Sequence, residues 1–381
     1  MGKIYGDNKF YTVFRLWVDH CARSSYRVFT MEGKENIPEE GAVILAPNHC
    51  NTLMDATVVL QGQKGPIVFG ARSDIFNNKT LAKILTFLRI LPMVRARDGM
   101  REVLRNYDTI DSIVETLDNN VPFCMFCEGT HRPKHSLLPI KKGIFRVAKA
   151  ANESRKSRAK KKKGKTVYKP SDKLYIVPVG LEYGDYYTYR SSCRMRYGKP
   201  IDVTNFFEET KDMPEAHQCE LLKQKISDGI SKLIVYFPDD EEYDKKIKRF
   251  KHLKKVRRDK ASGKSGKVRR VLQIIIGFPF FVFSAITALP QWLTSAIICS
   301  KVKDHAFHNT VRYGTKLVLT PIVWLVFTIL LFCFVPKENI VIGQGSIPWC
   351  IPPIIISILA MFSQNIFYDY INLLRRHTGK I

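Results

Sequence analysis

The chain has 381 residues, enough for one large domain or two ordinary ones, and its 61 Lys and Arg exceed its 35 Asp and Glu by 26. That excess points to a polyanionic partner, either a nucleic acid or an anionic membrane surface, and the lack of an interleaved aromatic-basic motif argues against the nucleic acid. Nine cysteines are scattered without a disulfide framework, which excludes a disulfide-stapled secreted scaffold and reads as free thiols in a reducing compartment.

Residues 1–25 predict an N-terminal amphipathic helix. Phe10, Phe14, Trp17 and Val18 recur at helical spacing, while Thr12, Arg15 and Asp19 interrupt what would be the apolar stretch of a secretory signal. Such a helix either lies on a membrane or packs on its own domain. Residues 26–244 then alternate strand and helix signals. Apolar runs at 42–46, 66–70, 90–95, 121–127 and 174–181 read as buried strands, with helical patterns at about 53–61, 79–89, 101–118 and 140–151 between them. This alternation predicts an α/β fold, a layered domain around a central, mainly parallel sheet. Cys124 and Cys127 form a C-x-x-C on one such strand. Positions three apart on a strand face opposite sides, so they read as buried thiols rather than a metal or redox pair. From Phe206 to Tyr236 the pattern is mainly helical, with Leu221, Leu222, Ile226, Ile230, Leu233 and Ile234 on one stripe.

Two basic stretches interrupt the pattern. Arg155 to Lys165 holds eight Lys or Arg in eleven residues and reads as a mobile surface loop, because like charges this dense repel. Residues 245–270 hold fourteen Lys or Arg and read as a basic linker. Composition then changes over 271–381, which reads as a C-terminal membrane region of helical segments. The run 271–298, with Pro290 and Gln291 inside, predicts a re-entrant hairpin; 317–335 and 347–366 predict transmembrane helices. Basic residues flank all three runs, and the positive-inside rule then puts the flanks on the cytoplasmic side.

Four local features carry chemistry, each at a predicted strand end. The first is Asn48-His49, with Asp55 six residues after the histidine, the layout of a general base and the carboxylate that orients it. The second is the run Ile90 to Arg95, followed by Arg97. On a strand the two arginines share a face, so either could grip a phosphate bidentately. The third is the turn Glu128-Gly129-Thr130, followed by His131, Arg132 and Lys134; Gly129 lets the backbone approach a ligand closely. The fourth is Ile176 to Leu181, carrying Pro178. In open α/β sheets the carboxyl ends of strands build the site. These groups together suit transfer onto a hydroxyl of a phosphorylated small molecule.

In this order the four features resemble the motif blocks of the glycerophospholipid acyltransferases, the PlsC-like family. Gly33-Lys34-Glu35-Asn36-Ile37-Pro38 is similar to the lead-in to the first block, and Leu138 to Gly143 to the segment after the third. The tail, with Lys303-Asp304-His305-Ala306-Phe307-His308 between apolar runs, is similar to that of a bacterial branch. The resemblance implies an acyltransferase domain at 26–244, with His49 as general base and Asp55 as its partner. It assigns the acceptor's phosphate-bearing backbone to Arg95 and to Glu128, Gly129 and Thr130, with Arg97 and Arg132 as further candidates. Pro178 would shape the groove for the acyl donor. It implies no cofactor and no metal: acyl-CoA or an acyl-carrier protein enters as the donor substrate. The implied function is O-acyl transfer from a thioester to a lysophosphatidate-type acceptor, with glycerol 3-phosphate or an aminolipid as alternative acceptors. The implied partners are an anionic lipid bilayer, the acyl thioester and a phosphorylated glycerolipid, with no nucleic acid. The expected location is an integral membrane protein whose catalytic domain faces the cytoplasm. A rival of another class is a non-catalytic protein that binds anionic membranes. The chain departs from the family pattern twice. One extra residue lies between histidine and aspartate; inside a helix it would rotate Asp55 by about 100°, so the turn Cys50-Asn51-Thr52 must absorb it. His131 also displaces Arg132 by one position.

Overall fold

The computed structural model describes residues 4–6, 8–93, 100–158, 160–162, 165–167, 169–342 and 345–378. In chain order the elements are helix α1 (Lys9–Ser24), strands β1 (Val28–Glu32) and β2 (Ala42–Pro47), α2 (Leu53–Gln61), β3 (Val68–Arg72), α3 (Lys79–Phe87), β4 (Ile90–Met93), α4 (Met100–Asp118), β5 (Phe123–Met125) and α5 (Gly143–Arg158). There follow β6 (Lys160–Lys162), β7 (Lys165–Val167), β8 (Leu174–Tyr183), β9 (Ser192–Tyr197), β10 (Ile201–Asp202), α6 (Val203–Glu209) and α7 (Glu215–Ser231). The last are α8 (Tyr243–Lys301), α9 (His308–Phe334), β11 (Ile340–Ile342), β12 (Gly345–Ile347) and α10 (Ile351–His377). Contacts divide the chain into two compact units. One joins Met1–Asp19, Phe29–Tyr186 and Ser192–Asp240; the other joins His20–Val28, Tyr187–Ser191 and Glu241–Ile381.

The first unit is built on one mixed sheet in the order β1-β9-β8-β2-β5-β3-β4. From β8 to β4 every pairing is parallel, and β9 closes on β8 antiparallel. The long apolar runs of the sequence become this parallel centre because they are buried on both faces. Ala42, Ile44 and Ala46 of β2 share one face with Phe123, Leu174 and Ile176, under Leu117 of α4, Ile144 of α5 and Leu222, Ile226 and Ile230 of α7. Val43 and Leu45 alternate to the other face and are as deeply buried. The parallel arrangement brings the C-terminal ends of β2, β5 and β8 together, and those ends lead into His49, Glu128 and Tyr183.

Two basic-stretch expectations change. Helix α5 runs through Arg155, which is buried. Its guanidinium donates to the carbonyls of Leu117 (3.0 Å) and Asp172 (3.0 Å) and to Asn120 (3.1 Å). One arginine of the run is therefore a structural donor to orphan carbonyls, which a charge count cannot reveal. Beyond it, β6 and β7 pair antiparallel. The predicted linker 245–270 is likewise helical, the first half of the single helix α8. Lys and Arg are good helix formers, and Gly263 and Gly266 each cost a continuous helix only about 1 kcal/mol.

In the second unit the predicted hairpin at 271–298 is also replaced by that helix, which carries Pro279 and Pro290 inside it. The packing of α8 on α10 explains why it does not turn back. Phe281 stacks on Phe367 at 5.2 Å, and the Thr287 hydroxyl donates to the Ala360 carbonyl at 3.0 Å. Neighbouring helices support proline-containing helices in this way. Among the described residues, three helical stretches are long and apolar enough to cross a membrane: Val268–Lys301, His305–Phe334 and Ile351–His377.

On α1, Tyr11 is buried, and the rings of Phe10, Tyr11 and Phe14 surround Phe87 of α3 at 5.7, 5.9 and 6.1 Å. Phe10, Val13 and Leu16 are nonetheless exposed. The helix both packs on its own domain and presents an apolar face.

Candidate active site

His49 follows β2 and Asp55 lies in the first turn of α2. The imidazole Nδ1 is 2.8 Å from Asp55 Oδ2. The extra residue between them is absorbed in the turn: Thr52 adopts φ 49° and ψ −129°, a left-handed backbone that β-branched residues rarely take. Such a conformation costs of order 1–3 kcal/mol. It lets the helix start at Leu53 with Asp55 turned back toward the histidine.

Asp55 is fully buried, and its carboxylate gathers donors from three directions. Oδ2 accepts from the His49 ring and from the backbone N–H groups of Cys50 (2.8 Å) and Asn51 (2.7 Å). Oδ1 accepts from the Tyr183 hydroxyl at 2.7 Å, at the end of β8. The thiols of Cys50, Cys124 and Cys193 surround this carboxylate. Burial first, and then its charge, pushes Cys50 and Cys193 well above the ordinary thiol range; Cys124 is raised by burial, its neighbour Cys127 and Asp55. These thiols stay protonated and inert.

The imidazole stacks on Phe126 with centroids 4.4 Å apart. Its Nε2 has no hydrogen-bond partner among the described residues, and 18% of the His49 side chain is exposed. One nitrogen is thus fixed by a carboxylate on a partly exposed ring, the arrangement a general base needs. Asn48 fixes where the loop begins. Its carboxamide pairs in both directions with the Leu181 backbone, at 3.0 and 2.6 Å, continuing the β2–β8 ladder past Pro47.

Glu128 sits beside the histidine, but both its oxygens are engaged by backbone. Oε1 accepts from the His49 N–H at 2.8 Å and Oε2 from the Leu138 N–H at 2.7 Å. Burial raises its carboxyl above the usual range, and these two N–H bonds oppose that shift. The structure therefore gives Glu128 the role of tying the His49 loop to the 138 segment. Gly129 has φ +73°, and Thr130 is exposed just beyond it. The Arg132 N–H donates to the His49 carbonyl at 3.0 Å. The Arg132 side chain pairs with Asp239, which also meets Lys134 at 3.0 Å. Those two cations hold the Asp239 carboxyl below its usual range.

Pro178 is buried in the contact between sheet and α7, where a Cβ built on Gly229 would lie 2.6 Å from its ring. Five positions before Tyr183, it belongs to the opposite face of β8. Arg95 and Arg97 lie outside the described residues. The structure thus brings His49, Asp55, Glu128, Gly129 and Arg132 together. Sequence reading missed Tyr183 as a site residue and gave Asn48 and Phe126, which stand in its motifs, no role. Tyr183 extends the apolar run 174–181 by two residues on the face of Leu181, but only the adjacency of β8 and β2 shows what it meets.

Residues 28–182 match the family model for Acyltransferase. This stretch is an acyltransferase-family domain. It spans the chain from β1 nearly to the end of β8, and contains His49, Asp55 and Glu128. Glycerol-3-phosphate O-acyltransferase 2 of Saccharomyces cerevisiae is 30% identical over 139 residues, which are 36% of this chain and 17% of that protein. The chain therefore covers less than a fifth of that relative's length. The crystal structure of the 1-acyl-sn-glycerophosphate (LPA) acyltransferase PlsC from Thermotoga maritima is similar at a TM-score of 0.37 and 17% identity, over 59% of this chain and 84% of that one.

Proposed function

We propose that this membrane-associated acyltransferase moves a fatty acyl group from a thioester onto a hydroxyl of a lysophosphatidate-type acceptor in glycerophospholipid synthesis. The observation that carries the reading is the 2.8 Å pairing of His49 Nδ1 with a fully buried Asp55, on a histidine whose side chain stays partly exposed. His49 Nε2 takes the proton of the acceptor hydroxyl as its oxygen attacks the thioester carbonyl. Asp55 stabilises the imidazolium that forms, and the proton then passes to the departing thiolate. The donor is acyl-CoA or an acyl-carrier protein, and the scheme uses no covalent acyl-enzyme. Arg132 and Lys134 supply positive charge near His49 for the acceptor's phosphate once it displaces Asp239. Arg95 and Arg97 remain candidates for the same role. The domain faces the cytoplasm, where the thioesters are found, and works against an anionic bilayer.

The name of the yeast relative favours a second acceptor, glycerol 3-phosphate. One experiment tests both readings. Purified full-length protein in lipid is given each acceptor with each thioester carrier, alongside His49→Ala. The proposal expects phosphatidate from the lysophosphatidate acceptor and a loss of about 10²–10⁴-fold in His49→Ala. Undiminished turnover in that variant would sink the mechanism. Product from glycerol 3-phosphate alone would replace the acceptor.

A further inference from the structure

The parts of Asp55 are not equally supported. Oδ2 has three donors: the His49 ring and two backbone N–H groups. Among the described residues Oδ1 has one close donor, the Tyr183 hydroxyl at 2.7 Å; the Cys50 thiol is a weak contact at 3.8 Å. Tyr183 is itself buried, held at the end of β8 by pairing with Cys193 of β9. The groups around the carboxylate are His49 and Cys50 from its own loop, Cys124 and Glu128 from the β5 end, Tyr183 from β8 and Cys193 from β9. None of these except a protonated His49 is a cation. A buried carboxylate without a permanent cation keeps its charge only through hydrogen bonds.

We infer that Tyr183 is a positioning residue of the acyl-transfer reaction, acting through Asp55: its hydroxyl keeps the carboxylate aimed at the His49 ring. The inference rests on the reading of His49 as the base. Tyr183 touches neither acceptor nor donor in this scheme. It fixes Oδ1 so that Oδ2 stays with Nδ1. Without the hydroxyl, the oxygen left bare raises the dyad's affinity for a proton, whichever partner carries it.

The test is the pH dependence of kcat for the full-length protein in lipid. Tyr183→Phe should lower kcat by about 10- to 100-fold, the range for a hydrogen bond to a charged group. It should move the low-pH limb to higher pH by about one unit, and leave KM for the acceptor unchanged. In an Asp55→Asn background the same substitution should have little further effect. A fall in kcat with the limb unmoved, or an undiminished fall in the Asp55→Asn background, would overturn the inference. Should Tyr183→Phe not fold, 3-fluorotyrosine placed at position 183 decides the matter. As a stronger donor it should move the limb to lower pH, and an unmoved limb would refute the role. His49→Ala, run in parallel, separates the two claims. Full turnover there discards the base itself, whereas an inactive His49→Ala with an unmoved limb in Tyr183→Phe discards only Tyr183.

Discussion

The two units each bury a charge, and they do so differently. Asp55 in the first unit is fully buried and meets an ionisable partner, His49, whose side chain is partly exposed. Lys316 in the second unit is also buried, but it donates to two neutral groups, Ser24 Oγ at 2.8 Å and Asn365 Oδ1 at 2.9 Å. Nearby, Arg190 grips Asp369 with two nitrogens. Around these groups the second unit is inverted relative to the first. Thr320, Gln291 and Gln364 are buried, while Ile322, Leu325 and Ile329 are exposed; in the first unit Ile44, Phe123 and Ile176 are the buried side chains. The lesson concerns solvent. A layered domain in water hides its aliphatic residues and exposes charge, except where a buried charge gathers hydrogen-bond donors, as Asp55 does. Helices that face lipid hide polar groups as interhelical glue, so a buried lysine there is no mark of catalysis by itself.

The largest expected effect breaks the comparison if it fails. Asp55→Asn should reduce kcat by at least about 10²-fold, because the amide can no longer hold the imidazole in the reactive tautomer or stabilise its cation. Lys316→Met should leave the specific activity of folded protein within about twofold. Its cost should appear as stability, about 1–3 kcal/mol for leaving Ser24 and Asn365 without their donor, read as a lower unfolding midpoint in detergent. A loss of kcat in Lys316→Met as deep as that in Asp55→Asn would make the helices part of the chemistry and abolish the distinction.

How far the sequence carried depended on what a residue's neighbours along the chain could show. His49 and Asp55 were legible, since both lie within one strand-turn-helix and the motif order named them. The parallel sheet was legible too, because its strands are buried on both faces and read as unbroken apolar runs. Glu128 was found as a residue but not as a contact. Its partners, the N–H groups of His49 and Leu138, are backbone, which carries no signature in residue type. The hairpin at 271–298 was expected because Pro290 breaks a lone helix; the support from α10 lies about seventy residues further on. Tyr183 needed the strand order itself.

Glu128 offers a smaller and pH-dependent effect. Burial raises its folded-state ionisation above the ordinary value of 4.5, while the unfolded chain ionises at that ordinary value. Between the two, the folded protein keeps a proton that the unfolded chain has released. Stability from this group is therefore full below the ordinary value and is lost as pH rises through the raised one. Glu128→Gln should remove that slope from the unfolding midpoint. It should also cost about 1–3 kcal/mol, since an amide has one carbonyl oxygen for two backbone donors. An unchanged pH slope in the variant would mean that another buried group sets it.

The smallest effect belongs to an exposed charge, the counterpart to both buried ones. Asp239 pairs with Arg132 and Lys134 at partly exposed positions, where water and salt weaken ion pairs. Asp239→Asn should leave the unfolding midpoint unmoved. If Arg132 and Lys134 receive the acceptor's phosphate, removing their competing carboxylate should lower KM for a phosphorylated acceptor severalfold at most. The kcat should hold, because nothing at His49 changes, and the gain should shrink as salt is raised. A phosphate-free acceptor should show no gain. Equal changes with both acceptors would mean that Asp239 shapes the 132–136 segment rather than competing for its charges. The contrast would then lie between buried and exposed structure, with the acceptor's phosphate read elsewhere, at Arg95 or Arg97.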